Sequence, residues 1–232
     1  MKGDVTLFQV ERLELGFKQK PWSFADERRA DIGRYFAALQ REKPVWNGRV
    51  LLLHRQAISG GVFYGDYLET DYASFAAWRQ WGSPPAGVHD CFGAAAVQTA
   101  DGAFLLGVMG SHTLNAGNIY FFCGTPDPDD IVGSKVDLAS SVRRELKEET
   151  GIDMEQLDVE PRWTTVVDGP LIVQVRLLRA ADSAEAVRKR ILEFLARERQ
   201  PELSDIRIVR SARDFDPAMP RFVTAFLAQQ FA

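Results

Sequence analysis

The chain has 232 residues, enough for one large domain or two small ones and for a core that needs no covalent staples. Hydrophobic residues make up 46% and charged residues 26%, and the net charge is −4 with a pI near 5.5, a balance that argues against general binding to nucleic acid or to an anionic membrane. Only two cysteines, Cys91 and Cys123, and three histidines are present, which excludes a disulfide scaffold and limits multi-histidine metal sites.

Asp4, Glu11, Arg12 and Glu14 interrupt any apolar leader, and no apolar run reaches the roughly 18 residues of a membrane span. A cytoplasmic protein with no membrane partner is expected, its two cysteines free and buried. From the N-terminus, alternation of Val5, Leu7, Val10, Leu13, Leu15 and Phe17 predicts a strand that Pro21 stops. Ser23 with Asp26 predicts a helix start, and Ile32, Phe36 and Leu39 give that helix one apolar face before Pro44. Strands over 50–53 and 62–68 flank a turn at Gly60-Gly61, and a short aromatic helix carries Phe75, Trp78 and Trp81. Gly82-Ser83-Pro84-Pro85 is the best boundary in the chain, dividing a β-rich segment, 1–87, from a domain over 88–232.

Beyond that boundary, strands over 93–99 and 104–109 flank Asp101-Gly102, a hairpin signal because the tight turn needs positive φ. Another strand covers 118–123, followed by a polar Pro- and Asp-rich loop over 124–135. A helix is expected from the N-cap Asp137 to Glu149, with Gly151 as its left-handed stop. Asp168-Gly169 marks a second hairpin between strands over 163–167 and 171–178. An amphipathic helix over 183–199, a strand over 206–209 and a terminal helix over 220–231 complete the chain. Strands broken by a few helices predict an α+β fold with a mixed sheet.

The informative stretch is Arg144 to Ile152. Glu145, Glu148 and Glu149 lie at i, i+3 and i+4, so a helix gathers three carboxylates on one face within roughly 5–6 Å. Such crowding is unfavourable in a bare helix, the more so near its C-terminus, where the macrodipole opposes negative charge. A hard divalent cation such as Mg²⁺, which takes oxygen ligands, offsets both penalties. The bland alternative is a solvated helix face with local pairs such as Arg144 with Glu148. Against it, the pattern Arg-Glu-x-x-Glu-Glu-x-Gly specifies five positions, and chance produces it in a chain this long on the order of once in several thousand.

This stretch resembles the second half of the Nudix box, Gly-x5-Glu-x7-Arg-Glu-U-x-Glu-Glu-x-Gly-U with U a bulky aliphatic residue, without a mismatch. The likeness extends over about residues 88–180. It implies an α/β/α sandwich around a mixed sheet and a pyrophosphohydrolase acting on a nucleoside diphosphate linked to another moiety. It also implies Mg²⁺, with Mn²⁺ able to substitute, held by Glu145, Glu148 and Glu149. Glu149 is then also a catalytic candidate, Arg144 orients the acids, and Gly124 and Tyr120 are substrate-binding candidates. The first half of the box departs from the family. Counting back from Arg144, its glycine falls on Asp130 and its glutamate on Val136, whereas the real glycine, Gly124, lies six positions too far upstream. Asp137 either stands in for the missing glutamate or only caps the helix. Phe75-Ala76-Ala77-Trp78 together with the divergent box is similar to the uridine-diphosphate-sugar hydrolases of that family.

Several residues have bland readings. Tyr120 or Phe121 stacks on a base or belongs to the core; His112 contacts phosphate or is structural. Asp168 is explained by its hairpin, and Arg188, Lys189 and Arg190 by a solvated helix face. A non-catalytic nucleotide or ADP-ribose sensor of the same fold is the rival reading, and 1–87 forms part of the pocket or a homodimer contact.

Overall fold

The structure, a computed structural model, describes residues 4–232. The N-terminal alternation yields two strands, β1 (Thr6–Val10) and β2 (Arg12–Phe17), that part company at Glu11 and enter different sheets. A broken helix follows, α1 (Ser23–Glu27) and α2 (Arg29–Glu42), interrupted at Arg28, whose φ of −111° lies outside the helical well. Ser23 is not its cap. Buried Trp22 takes that position without a side-chain bond to the helix, its indole N–H being drawn off to the Ala86 carbonyl at 3.0 Å. β3 (Arg49–Ser59) and β4 (Val62–Asp71) form a hairpin through Gly60 and Gly61, with φ of 55° and 73° at the two positions where a twisted two-residue turn requires positive values. Asp71 then caps α3 (Tyr72–Gln80), accepting from the Ser74 N–H at 2.9 Å.

After the proline segment come β5 (Asp90–Gln98), β6 (Phe104–Met109) and a two-residue β7 (Ile119–Tyr120). The polar loop is more ordered than expected, holding a 3-10 turn over Pro128–Asp130 and the short strands β8 (Ile131–Val132) and β9 (Lys135–Val136). The acid helix α4 (Leu138–Thr150) leads to β10 (Asp158–Asp168), β11 (Leu171–Arg179), α5 (Ala184–Leu195), β12 (Leu203–Val209) and α6 (Arg221–Gln230).

The fold is α+β. Among the described residues one sheet has the order β1-β10-β11-β5-β6-β12 with β7 beside β6, and it is mixed: β11 runs parallel to β5 and the other pairs are antiparallel. Successive side chains of a strand point to opposite faces, and β5 uses both. Phe92 meets the ring of Phe222 on α6 at 6.1 Å, whereas Gly93 faces α4. Helices therefore cover both faces, α4 on one and α6 on the other. A second sheet, β3-β4-β2-β9-β8, is assembled from both sides of the Pro84-Pro85 segment. Its strand β3 is buried on both faces: Leu51 and Leu53 join the main core with Phe63, Tyr67 and Val97, while Val50 and Leu52 pack with Trp22, Phe36 and Trp78 beneath α1–α3. Among the described residues no helix is long and apolar enough to cross a membrane.

Candidate functional site

Helix α4 is fixed before its acids are considered. Asp137 accepts from the N–H groups of Ala139 and Ser140, both at 3.1 Å, and Gly151 ends the helix with φ 72°. Its stripe Leu138, Val142 and Leu146 is buried to 1% exposure or less, each side chain contributing about 1.5–3 kcal/mol. Contact with the sheet is close because Gly93 has no side chain; a Cβ there would lie 2.4 Å from Val142 Cγ2. Asp137 is thus a cap, and Arg144 is held by a residue that sequence reasoning did not single out.

That residue is Asp130. Its carboxylate is 2% exposed and receives Arg144 in two parallel contacts, Nη1 to Oδ1 at 2.9 Å and Nη2 to Oδ2 at 3.3 Å. A capping box between Asp127 and Asp130 shapes the 3-10 turn that delivers it. Arg144 also donates to Glu145 Oε1 at 3.1 Å. Burial works against the guanidinium charge, but the contacts with Asp130 and Glu145 together outweigh it and raise the Arg144 pKa. The only hint in the sequence was that Asp130 stands where a glycine was due, which left its role hidden.

The three glutamates do not share one environment. Glu149 is 5% exposed and its Oε2 accepts from the Cys123 N–H at 2.9 Å. Burial, and then the charges of Glu145 and Glu202, push its pKa well above the usual carboxylate range. Glu145 is mostly buried; burial pushes its pKa up to about 7, against the opposing pull of Arg144 and with the help of Glu148 and Glu202. Its carboxyl fills the space that Gly124 leaves open, since a Cβ at 124 would lie 2.4 Å from Glu145 Cδ and 2.5 Å from both oxygens. Glu148 is exposed at the margin. Among the described residues no group of three or more His, Cys, Asp or Glu side chains is drawn together as a metal-holding cluster. The donor chemistry nevertheless fits a hard divalent cation: Glu145 and Glu149 are oxygen donors, and the charge of Glu145 raises the proton affinity of Glu149, a penalty that a bound cation removes.

Glu145, Gly124, Cys123 and Tyr120 line a cleft of about 820 Å³. Trp46, Tyr72 and Arg79 also line it, so the 1–87 segment takes part in the site. Tyr120 faces the cleft, its hydroxyl accepting from Asn115 Nδ2 at 3.2 Å, while the next residue, Phe121, is fully buried against Phe226 at 5.3 Å. His112 also lines the cleft. Phe75 to Trp78 do not: they are buried within α3, so that stretch packs and makes no contribution to the lining. Asp168 closes its hairpin beside Gly169 and lies 3.2 Å from Arg221, and Arg188 and Arg190 pair on the surface with Asp205 and Asp182. Cys91 and Cys123 are free thiols, and burial pushes the former up to about 12 and the latter well above its usual value, so neither is an activated nucleophile.

No family model matches the chain, and no curated protein does. Among solved structures it is similar to the Nudix hydrolase RenU from M. smegmatis at 16% identity and TM-score 0.40, over 61% of this chain and 82% of that one. It is also similar to the MutT protein from Methanosarcina mazei Go1 at 19% identity and TM-score 0.38, over 61% and 92%. A third is the C. elegans Ap4A hydrolase, at 17% identity and TM-score 0.34, over 59% and 85%. Likeness this low leaves activity to be judged from the chain's own residues.

Proposed function

We propose that the protein is a divalent-metal-dependent pyrophosphohydrolase of the Nudix kind. Its substrate would be a nucleoside diphosphate linked to another moiety, with UDP-sugars as one candidate class. In this reading 88–232 carries the acid helix and 1–87 supplies part of the cleft lining. The observation that carries it is the pair of crowded, mostly buried carboxyls against the Cys123-Gly124 segment: Glu145 lines a cleft large enough for such a ligand, and Glu149 lies just behind that lining, bonded to the Cys123 N–H.

Glu145 and Glu149, with Glu148 beside them, would hold the cation, which supplies neutralisation of the diphosphate charge and acidification of water. Arg144 is a positioning residue: pinned by Asp130, it fixes the orientation of Glu145. Glu149 would also be the candidate to accept a proton during attack at phosphorus. Tyr120 and the backbone at Gly124 bound the space for the substrate.

The test is phosphatase-coupled phosphate release from UDP-sugars, ADP-ribose and dinucleoside polyphosphates, with Mg²⁺ or with EDTA. Wild-type turnover is expected only with the metal. Glu149→Gln is expected to lose at least about a hundredfold in kcat while keeping its circular dichroism spectrum. Equal turnover in wild type and variant, or turnover indifferent to EDTA, would overturn the reading. Tight ligand binding without turnover on any substrate would favour the sensor.

A further inference from the structure

Two side chains in the cleft wall contributed by 1–87 are left unexplained by packing. Trp46 is 82% exposed, an extreme state for so large an apolar side chain. Its position is nonetheless defined. The ring lies against Gly48, where a Cβ would come within 2.8 Å of ring atom Cζ3. Nearby, Lys43 Nζ donates to the carbonyls of Ser111 and Thr113 at 3.0 and 2.6 Å, tying this loop to the one that carries His112.

Arg79, in the last turn of α3, lines the same cleft. Its guanidinium lies over the Phe75 ring at 5.5 Å and reaches Asn115 Oδ1 at 3.5 Å and Asp90 Oδ2 at 3.9 Å. Both polar contacts are well beyond the roughly 2.7–2.9 Å of a strong charge-assisted bond. Arg49, another cation of the lining, is already held by Glu69 at 2.5 Å. Asp90, Asp127, Glu145 and Glu202 make the rest of the charged lining acidic, and with its contacts to Asn115 and Asp90 both long, Arg79 is the cation with hydrogen-bonding capacity to spare for an entering diphosphate.

We propose that Trp46 and Arg79 form a nucleoside diphosphate subsite, in which Trp46 stacks on the base and Arg79 binds a phosphate oxygen. The inference rests on the proposed function for the phosphate-bearing class of ligand, and adds that 1–87 reads the base. A flat, exposed indole suits any base, because every base offers a π-face, and a half-exposed guanidinium suits a phosphate through its planar fork of donors.

Calorimetric titration of the full chain with Mg²⁺ present, using α,β-methylene-ADP, α,β-methylene-UDP and base-free methylenediphosphonate, tests this without bond cleavage. Wild type is expected to bind both nucleotides more tightly than methylenediphosphonate. Trp46→Ala should weaken the nucleotides by about 5- to 150-fold and leave methylenediphosphonate unchanged. Arg79→Gln should weaken all three, with Arg79→Lys recovering part of the loss, and circular dichroism should report an intact fold in each. Nucleotide affinity unchanged in Trp46→Ala, methylenediphosphonate affinity unchanged in Arg79→Gln, or no preference of wild type for the nucleotides would each overturn the subsite. Trp46-dependent binding with no turnover in the substrate panel would reject the hydrolase and keep the subsite; turnover without such binding would do the reverse.

Discussion

Gly124 and Asp130 place the acids of α4 more than any property of the helix does. Gly124 is required for space: its neighbour in the cleft is the Glu145 carboxyl, and a methyl group at 124 would occupy that carboxyl's position. Gly124→Ala is therefore expected to keep the fold, because the obstructing group is the end of a flexible side chain, and to displace Glu145. Misplacement of a catalytic group by about 1 Å costs roughly a hundredfold. Measured kcat with Mg²⁺ beside an unchanged Tm would bear this out, and a kcat equal to wild type would contradict it. Asp130 acts through Arg144, 14 positions later, and a partner at that distance across a looped insertion leaves no periodic signal.

At the scale of the element, both ends of α4 were legible. An Asp at the N-cap and a glycine past the last turn answer unsatisfied backbone groups that every helix has, and both are read within a few residues. Gly151 carries a second demand that is not local: a Cβ there would meet the Phe194 ring of α5 at 2.5 Å. Gly151→Ala combines that clash with about 1–2 kcal/mol for a left-handed alanine. At roughly 2–4 °C per kcal/mol for a chain of this size, calorimetry should show Tm lowered by several degrees; no change would mean that neither constraint binds. Ser23 failed as a cap because the residue before it, Trp22, is anchored by burial and by the Ala86 carbonyl, and so decides where the chain enters the helix. The single N-terminal strand became two for a related reason. Alternation shows that each half has one buried face but not which sheet will bury it.

At the scale of the molecule, the two segments share one core and one cleft. Val10, Leu15, Leu53 and Tyr67 lie in the same cluster as Cys91, Val97 and Leu146, and β1 completes the sheet that carries the site. The cleft between them buries Asp90, whose Oδ1 has no hydrogen-bond partner. Burial lifts its pKa from 3.8 to about 6, with Arg79 pulling the other way. The folded state thus keeps a proton that the unfolded state releases, and stability falls as pH rises from about 4 to about 6. In Asp90→Asn this component is absent, so Tm should decline less across that interval than in wild type. Parallel curves would show that the carboxyl is not titrating as its burial implies.

The sequence by itself determined the α+β alternation, both ends of the acid helix and the i, i+3, i+4 placement of Glu145, Glu148 and Glu149, because these follow from backbone periodicity and capping within a few residues. The tertiary structure alone decided that Glu145 and Glu149 turn inward while Glu148 stays in water, and that Asp130 holds Arg144. It also decided that Trp46 and Arg79 line one cleft with Glu145. Each of those relations depends on which surfaces exclude water together, and neighbours brought together by burial need not be neighbours along the chain.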